Sequence, residues 1–181
     1  MKLFTHLMII IIISMITMRV FADEHQLGAH VHGVATLQAA VDAKILTLNF
    51  SSPLDNLIGF EHKSRNQAEV AQVQNMINQF YKTSLFVPTK AAQCKMQSIN
   101  LESLVIKKNP NAKKPQHEEP AGHADLDAEL VYQCQQVKQL RDLQVNLFKT
   151  FPNLHELNAE VVSSQGQTAA KLTPTNSQII W

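Results

Sequence analysis

The sequence predicts an α+β fold: a mostly antiparallel β-sheet with one long helix packed on a face, one disulfide, and one disordered insert rich in histidine and acidic residues. Three observations predict it. Short stretches alternate apolar and polar side chains along most of the chain, as half-buried strands do. One stretch alone, residues 64–81, spaces its apolar residues by three and four, as an amphipathic helix does. Cys94 and Cys134 are the only two cysteines, and both sit in strand-like surroundings.

The first 22 residues are set aside as a signal peptide. Lys2 supplies positive charge, Leu7 to Ile16 is an almost unbroken apolar run, and Val20-Phe21-Ala22 offers small or aliphatic residues for cleavage after Ala22. The apolar core is short for a bilayer span. No cysteine lies near the cleavage point to carry a lipid, and no second long apolar run follows. The expectation is an exported chain, residues 23–181, forming a single domain without a membrane span after cleavage. About 160 residues are enough for one core. Loss of Lys2 and Arg19 leaves fourteen basic against fifteen acidic residues, and the lysines are not interleaved with aromatics, which excludes a nucleic-acid surface. In an oxidising compartment the lone cysteine pair is most simply a bridge between Cys94 and Cys134, worth about 4 kcal/mol in the chain-entropy account. Thiolate metal ligation is the alternative, disfavoured because no Cys-x-x-Cys is present.

In order, Gly33 to Phe50 reads as a β-hairpin turning at Asp42-Ala43-Lys44, and Ser51-Ser52-Pro53 stops its second strand. Asn56 to His62 is a loop. Ser64 and Gln67 form a capping box that opens a helix whose stripe is Val70, Val73, Ile77, Phe80 and Tyr81. Leu85 to Pro88 ends it. Cys94 to Ile106 is a strand with imperfect alternation, which predicts a bulge near Ser98. Residues 107–127 hold three prolines and two lysine pairs but too few apolar side chains for a core, so they form the solvated insert. Glu129 to Gln136 returns to strand. Leu140 to Phe148 reads as a strand in preference to a short helix, and Leu154 to Ser163, Ala169 to Leu172 and Ile179 to Trp181 complete the sheet.

The chemistry lies in the histidines. His25, His30 and His32 cluster near the expected new N-terminus, and neutral imidazole is the commonest ligand for zinc, copper and nickel. On an extended segment His30 and His32 would face one side, with Val31 opposite. The bland alternative is a tail that happens to contain histidines. His62 follows Glu61, a carboxylate placed to orient a ring or to bind beside it. In the insert, His117-Glu118-Glu119 and His123-x-Asp125-x-Asp127 set two imidazoles among carboxylates, so His117, His123, Glu119 and Asp125 are candidate ligands. The bland reading of that segment is a charged linker. His155, alone in a predicted strand, is assigned a structural role. If the exported chain begins Asp23-Glu24-His25, the amine, two amide nitrogens and the His25 ring form a planar four-nitrogen set that selects Cu(II) or Ni(II).

The run His30-x-His32-Gly33-x-Ala35-x-Leu37, followed by Ser52-Pro53 and Asn56-Leu57-x-Gly59-Phe60-Glu61-His62, resembles the ZrgA-like family of zinc-regulated periplasmic zinc-binding proteins. The later His123-Ala124-Asp125-Leu126, Tyr132-x-Cys134 and Leu147-Phe148-x-x-Phe151-Pro152 extend the resemblance over the whole exported chain. What it implies is a periplasmic accessory to zinc uptake, working beside a zinc ABC importer and its solute-binding protein. The insert departs from the denser histidine-rich inserts of such proteins, since it holds only His117 and His123. Together these readings give a periplasmic zinc-binding protein that captures or buffers zinc and supports its delivery, with His30, His32 and His62 as leading ligands. Two other classes are weighed against it. One is a metal-independent envelope interaction module. The other is a zinc-dependent hydrolase, disfavoured because neither His-Glu-x-x-His nor Gly-x-Ser-x-Gly occurs.

Overall fold

A computed structural model of the chain describes residues 31–82, 84–106 and 124–181. Strands β1 (Val34–Asp42) and β2 (Ile45–Pro53) form the predicted hairpin, with only Ala43 and Lys44 between them. β2 runs through Pro53 where the sequence places a stop. The pairing with β1 has already ended at Ser51, so the proline's missing N–H faces the side that has no partner. β3 (Phe86–Pro88) is a short strand where the sequence reads only a helix end. β4 (Cys94–Glu102) carries the expected irregularity, a register shift between Met96 and Ser98. β5 spans Asp125–Cys134, so the last three residues assigned to the insert belong to the sheet. Leu126 there is buried at the core, which is why the strand starts early. β6 (Asp142–Val145) is followed by a four-residue helix, so both readings of that stretch hold in part. β7 (Glu156–Ser163), β8 (Gly166–Leu172) and β9 (Gln178–Ile180) follow as predicted.

The strands form two sheets. Six run in the order β4-β5-β2-β1-β7-β8 and three in the order β3-β6-β9. Every pairing is antiparallel except β1 with β7, which is parallel with Val34 opposite Glu156. The fold class is therefore as the sequence predicts. The parallel pair is not legible locally, because its strands come from opposite ends of the described chain. Along β1, β2, β5 and β7 alternate residues are buried, among them Leu37, Leu48, Phe50, Leu130 and Leu157. That inner face receives the smaller sheet and the long helix; the other face is polar.

Helices α1 (Asp55–Ile58), α2 (Gln67–Phe80) and α3 (Leu147–Thr150) complete the fold. The α2 start differs from the sequence reading. Its N-cap is Asn66 rather than Ser64, with the Asn66 side chain accepting the Glu69 N–H at 3.0 Å. Glu69 reaches back to accept the Arg65 N–H at 2.6 Å, a reciprocal cap built two residues later than Ser64 and Gln67 would build it. The buried stripe differs as well: Val73, Met76 and Phe80 are buried, while Val70 and Tyr81 are exposed. Phe80 meets Phe50 and Phe151 with ring centroids 5.7 Å from each, and Phe50 meets Phe86 at 6.0 Å. These four rings join helix, both sheets and the corner before β7. Asn66→Ala is expected to cost about 1 kcal/mol, measured by urea unfolding.

The bridge between Cys94 and Cys134 joins directly opposed residues of β4 and β5. Beside it Tyr132 is buried, and burial pushes its phenol up to about 12, so it stays neutral. Among the described residues, no helix is long and apolar enough to cross a membrane.

Candidate metal centre

The first described histidine, His32, lies in a turn and not on a strand. The Val34 N–H donates to the Val31 carbonyl at 3.1 Å, with His32 and Gly33 at the centre of the turn. Gly33 has φ +84°, the left-handed value that a type II turn needs at its third position. A side chain there would be strained, and a Cβ would also come within 3.0 Å of the His155 ring. The Gly33 carbonyl accepts N–H groups from His155 at 2.8 Å and Glu156 at 2.9 Å, which pins the turn to the start of β7. Strand alternation therefore does not set the direction of the His32 ring.

What sets it is the segment after β2. Leu54 is fully buried, and its N–H donates to the Ala124 carbonyl at 2.9 Å. α1 then turns the chain back, and Gly59, at φ +80°, stops it by donating its N–H to the Asp55 carbonyl. The sequence reads this stretch as a loop; a single helical turn forms because Leu54, Asn56 and Leu57 are buried together. Asn56 is 1% exposed, and its side chain uses all its principal hydrogen-bonding groups. Its Oδ1 accepts the Gly33 N–H, and its Nδ2 donates to the Val34 carbonyl at 2.9 Å and to Ser52 Oγ at 3.1 Å.

The outcome is a histidine held between two carboxylates. His32 Nδ1 lies 3.5 Å from Asp55 Oδ2, and His32 Nε2 lies 3.2 Å from Glu61 Oε1. Glu61 is only 10% exposed and Asp55 33%, whereas the His32 ring is 59% exposed. An imidazole with a carboxylate on one nitrogen is oriented to present the other to a metal. The two carboxylates sit on opposite edges of the ring, so they do not converge on one point. Among the described residues no three histidine, cysteine, aspartate or glutamate side chains are grouped to hold an ion. His32, Asp55 and Glu61 are the side chains these contacts bring together at this end of the sheet.

His62 is placed differently. Its ring stacks on Phe60 at 4.8 Å, and its Nδ1 lies 3.0 Å from the Lys63 carbonyl and 3.9 Å from Glu69 Oε2. It is thus turned toward the start of α2, and among the described contacts none joins it to His32. Asp125 opens β5 opposite Pro53, at the same end of the sheet as α1. His155, expected in a strand interior, is exposed and lies over Gly33. His25, His30, His117, His123 and Glu119 lie outside the described residues. The sequence reading missed Asp55. Its carboxylate acquires meaning only from a contact 23 residues distant, and a lone aspartate at the start of a helical turn is ordinarily a favourable terminal charge.

The sequence signature of the family described as "ZrgA family zinc uptake protein" matches residues 29–181, most of the chain and all of the described fold. The chain belongs to the ZrgA family. Its two sheets and its bridge are accordingly those of a member of a zinc uptake family. A search of the curated proteins gives no match. The family is one of zinc uptake, with which zinc is consistent.

Proposed function

We propose that this chain is an exported, periplasmic zinc-binding protein that captures or buffers zinc and supports its delivery to the solute-binding protein of a zinc ABC importer. Residues 1–22 are its signal peptide and residues 23–181 its single domain. The observation that carries this reading is the His32 ring held between Asp55 and Glu61, in a chain of a zinc uptake family. The 3.5 Å between Nδ1 and Asp55 Oδ2 is long for a hydrogen bond. It is close to the edge, about 3.4 Å, between two ligands of a tetrahedral zinc bound at ordinary distances. Glu61, the more buried carboxylate, then holds Nε2 as the outer partner.

The remaining ligands come from the histidine segments. Val31 follows His30 directly, and Ala124, bonded to Leu54 beside α1, follows His123 directly. Each of these histidines is thus the sequence neighbour of a described residue at this end of the sheet. His30 and His123 are assigned as ligands on this ground. His25, His117, Glu119 and Asp125 belong to the capturing segments, and His62 to a second position near the start of α2. Ligation requires neutral rings, so zinc is held less tightly as pH falls. Calorimetric zinc titration tests the assignment: Asp55→Asn should weaken the tightest site by about a hundredfold, and Glu61→Gln by about tenfold. Wild-type affinity in both variants overturns it.

A further inference from the structure

A zinc site assembled from a turn and a distant helical turn needs something that fixes the distance between them. The His32 side chain is 59% exposed and sits in a turn closed by the bond from the Val34 N–H to the Val31 carbonyl. Asp55 opens a helix of one turn. Neither segment holds its geometry by itself, because short helices and isolated turns are marginal in water.

We propose that Asn56 is the positioning residue of this site, a buried amide that sets the spacing between His32 and Asp55 without touching the metal. The proposal rests on the zinc reading above. Asn56 is the residue after Asp55, and its Oδ1 takes the N–H of Gly33, the residue after His32. One hydrogen bond therefore links the immediate neighbours of the two groups that face each other. Nδ2 fixes the amide in that orientation, with one N–H on the Val34 carbonyl and the other on Ser52 Oγ. Ser52 is itself 1% exposed, so the anchor stands on the end of β2 and not on solvent. No other side chain among the described residues joins α1 to the Gly33 turn by a hydrogen bond. Aspartate could accept from Gly33, but it has no N–H for Val34. Leucine would fill the space and leave the Gly33 N–H buried without a partner.

The role separates from a general contribution to folding by where the loss falls. Zinc alone is titrated into the full exported chain by calorimetry, while His32 ring nitrogens are followed by NMR. Wild type should show the His32 shift with the first zinc equivalent. Asn56→Ala should weaken the tightest site about tenfold and delay the His32 shift to later equivalents, and Ser52→Ala should weaken it about threefold. The double variant Asn56→Ala/His32→Ala should bind no more weakly than His32→Ala, because Asn56 acts through His32. Losses that add in the double variant overturn the proposal, as does wild-type affinity with an early His32 shift in folded Asn56→Ala. If Asn56→Ala does not fold, Ser52→Ala decides, and wild-type affinity there overturns it. A His32→Ala chain that binds zinc as wild type does overturns the zinc reading itself. Loss in His32→Ala without loss in the Asn56 variant overturns only the role of Asn56.

Discussion

His32→Ala is expected to reduce affinity at the tightest zinc site by about a hundredfold or more, with no change in thermal stability beyond a degree or two. Removing an outer-sphere partner of a metal ligand typically costs about ten- to a hundredfold, and removing the ligand should reach the top of that range. The stability forecast follows from exposure. The ring is 59% exposed, and the turn is held by backbone groups of Gly33 and Val34 that the substitution leaves in place. Zinc titration by calorimetry, with thermal unfolding of the metal-free chain beside it, measures both quantities. A variant that retains full affinity removes His32 from the site.

The second large effect concerns stability without binding. Replacing Cys94 and Cys134 together by alanine should cost about 4 kcal/mol, because the bridge closes a loop of 40 residues in the unfolded chain. For a domain of this size the midpoint of thermal unfolding should fall by roughly 10 °C. Zinc affinity in the still-folded variant should be unchanged. The bridge lies at the far end of β5 from Asp125, which along a strand of ten residues is about 30 Å. Circular dichroism against temperature reads the first outcome and calorimetry below the transition reads the second. A loss of zinc binding in the folded variant would show that the sheet transmits strain along its length.

What the sequence discloses, and what it hides, divides by range. Alternation reports burial residue by residue, so the hairpin, the irregularity at Ser98 and the last three strands are all readable locally. The cap of α2 is readable only to within two residues. Ser64 with Gln67 satisfies the same pattern as Asn66 with Glu69, and the hydrogen bonds form at the second pair. Glu61 is readable as a partner for a histidine, but the ring it meets is His32 and not its neighbour His62. Asp55 and Asn56 have no local signal, since what gives them a role is the return of β1 past α1. Periodicity describes the face a residue occupies and carries no information about which distant backbone it will touch.

The parallel alignment of β1 with β7 has a consequence for synthesis. The carbonyl of Gly33 is claimed by amides at the very start of β7, so the turn that carries His32 cannot settle until the last quarter of the polypeptide has arrived. Pairings between such remote segments form slowly compared with hairpins. A nascent chain therefore lacks a settled Gly33 turn while it is still being made. The last residues of the chain to be made thus decide when its first described turn takes shape.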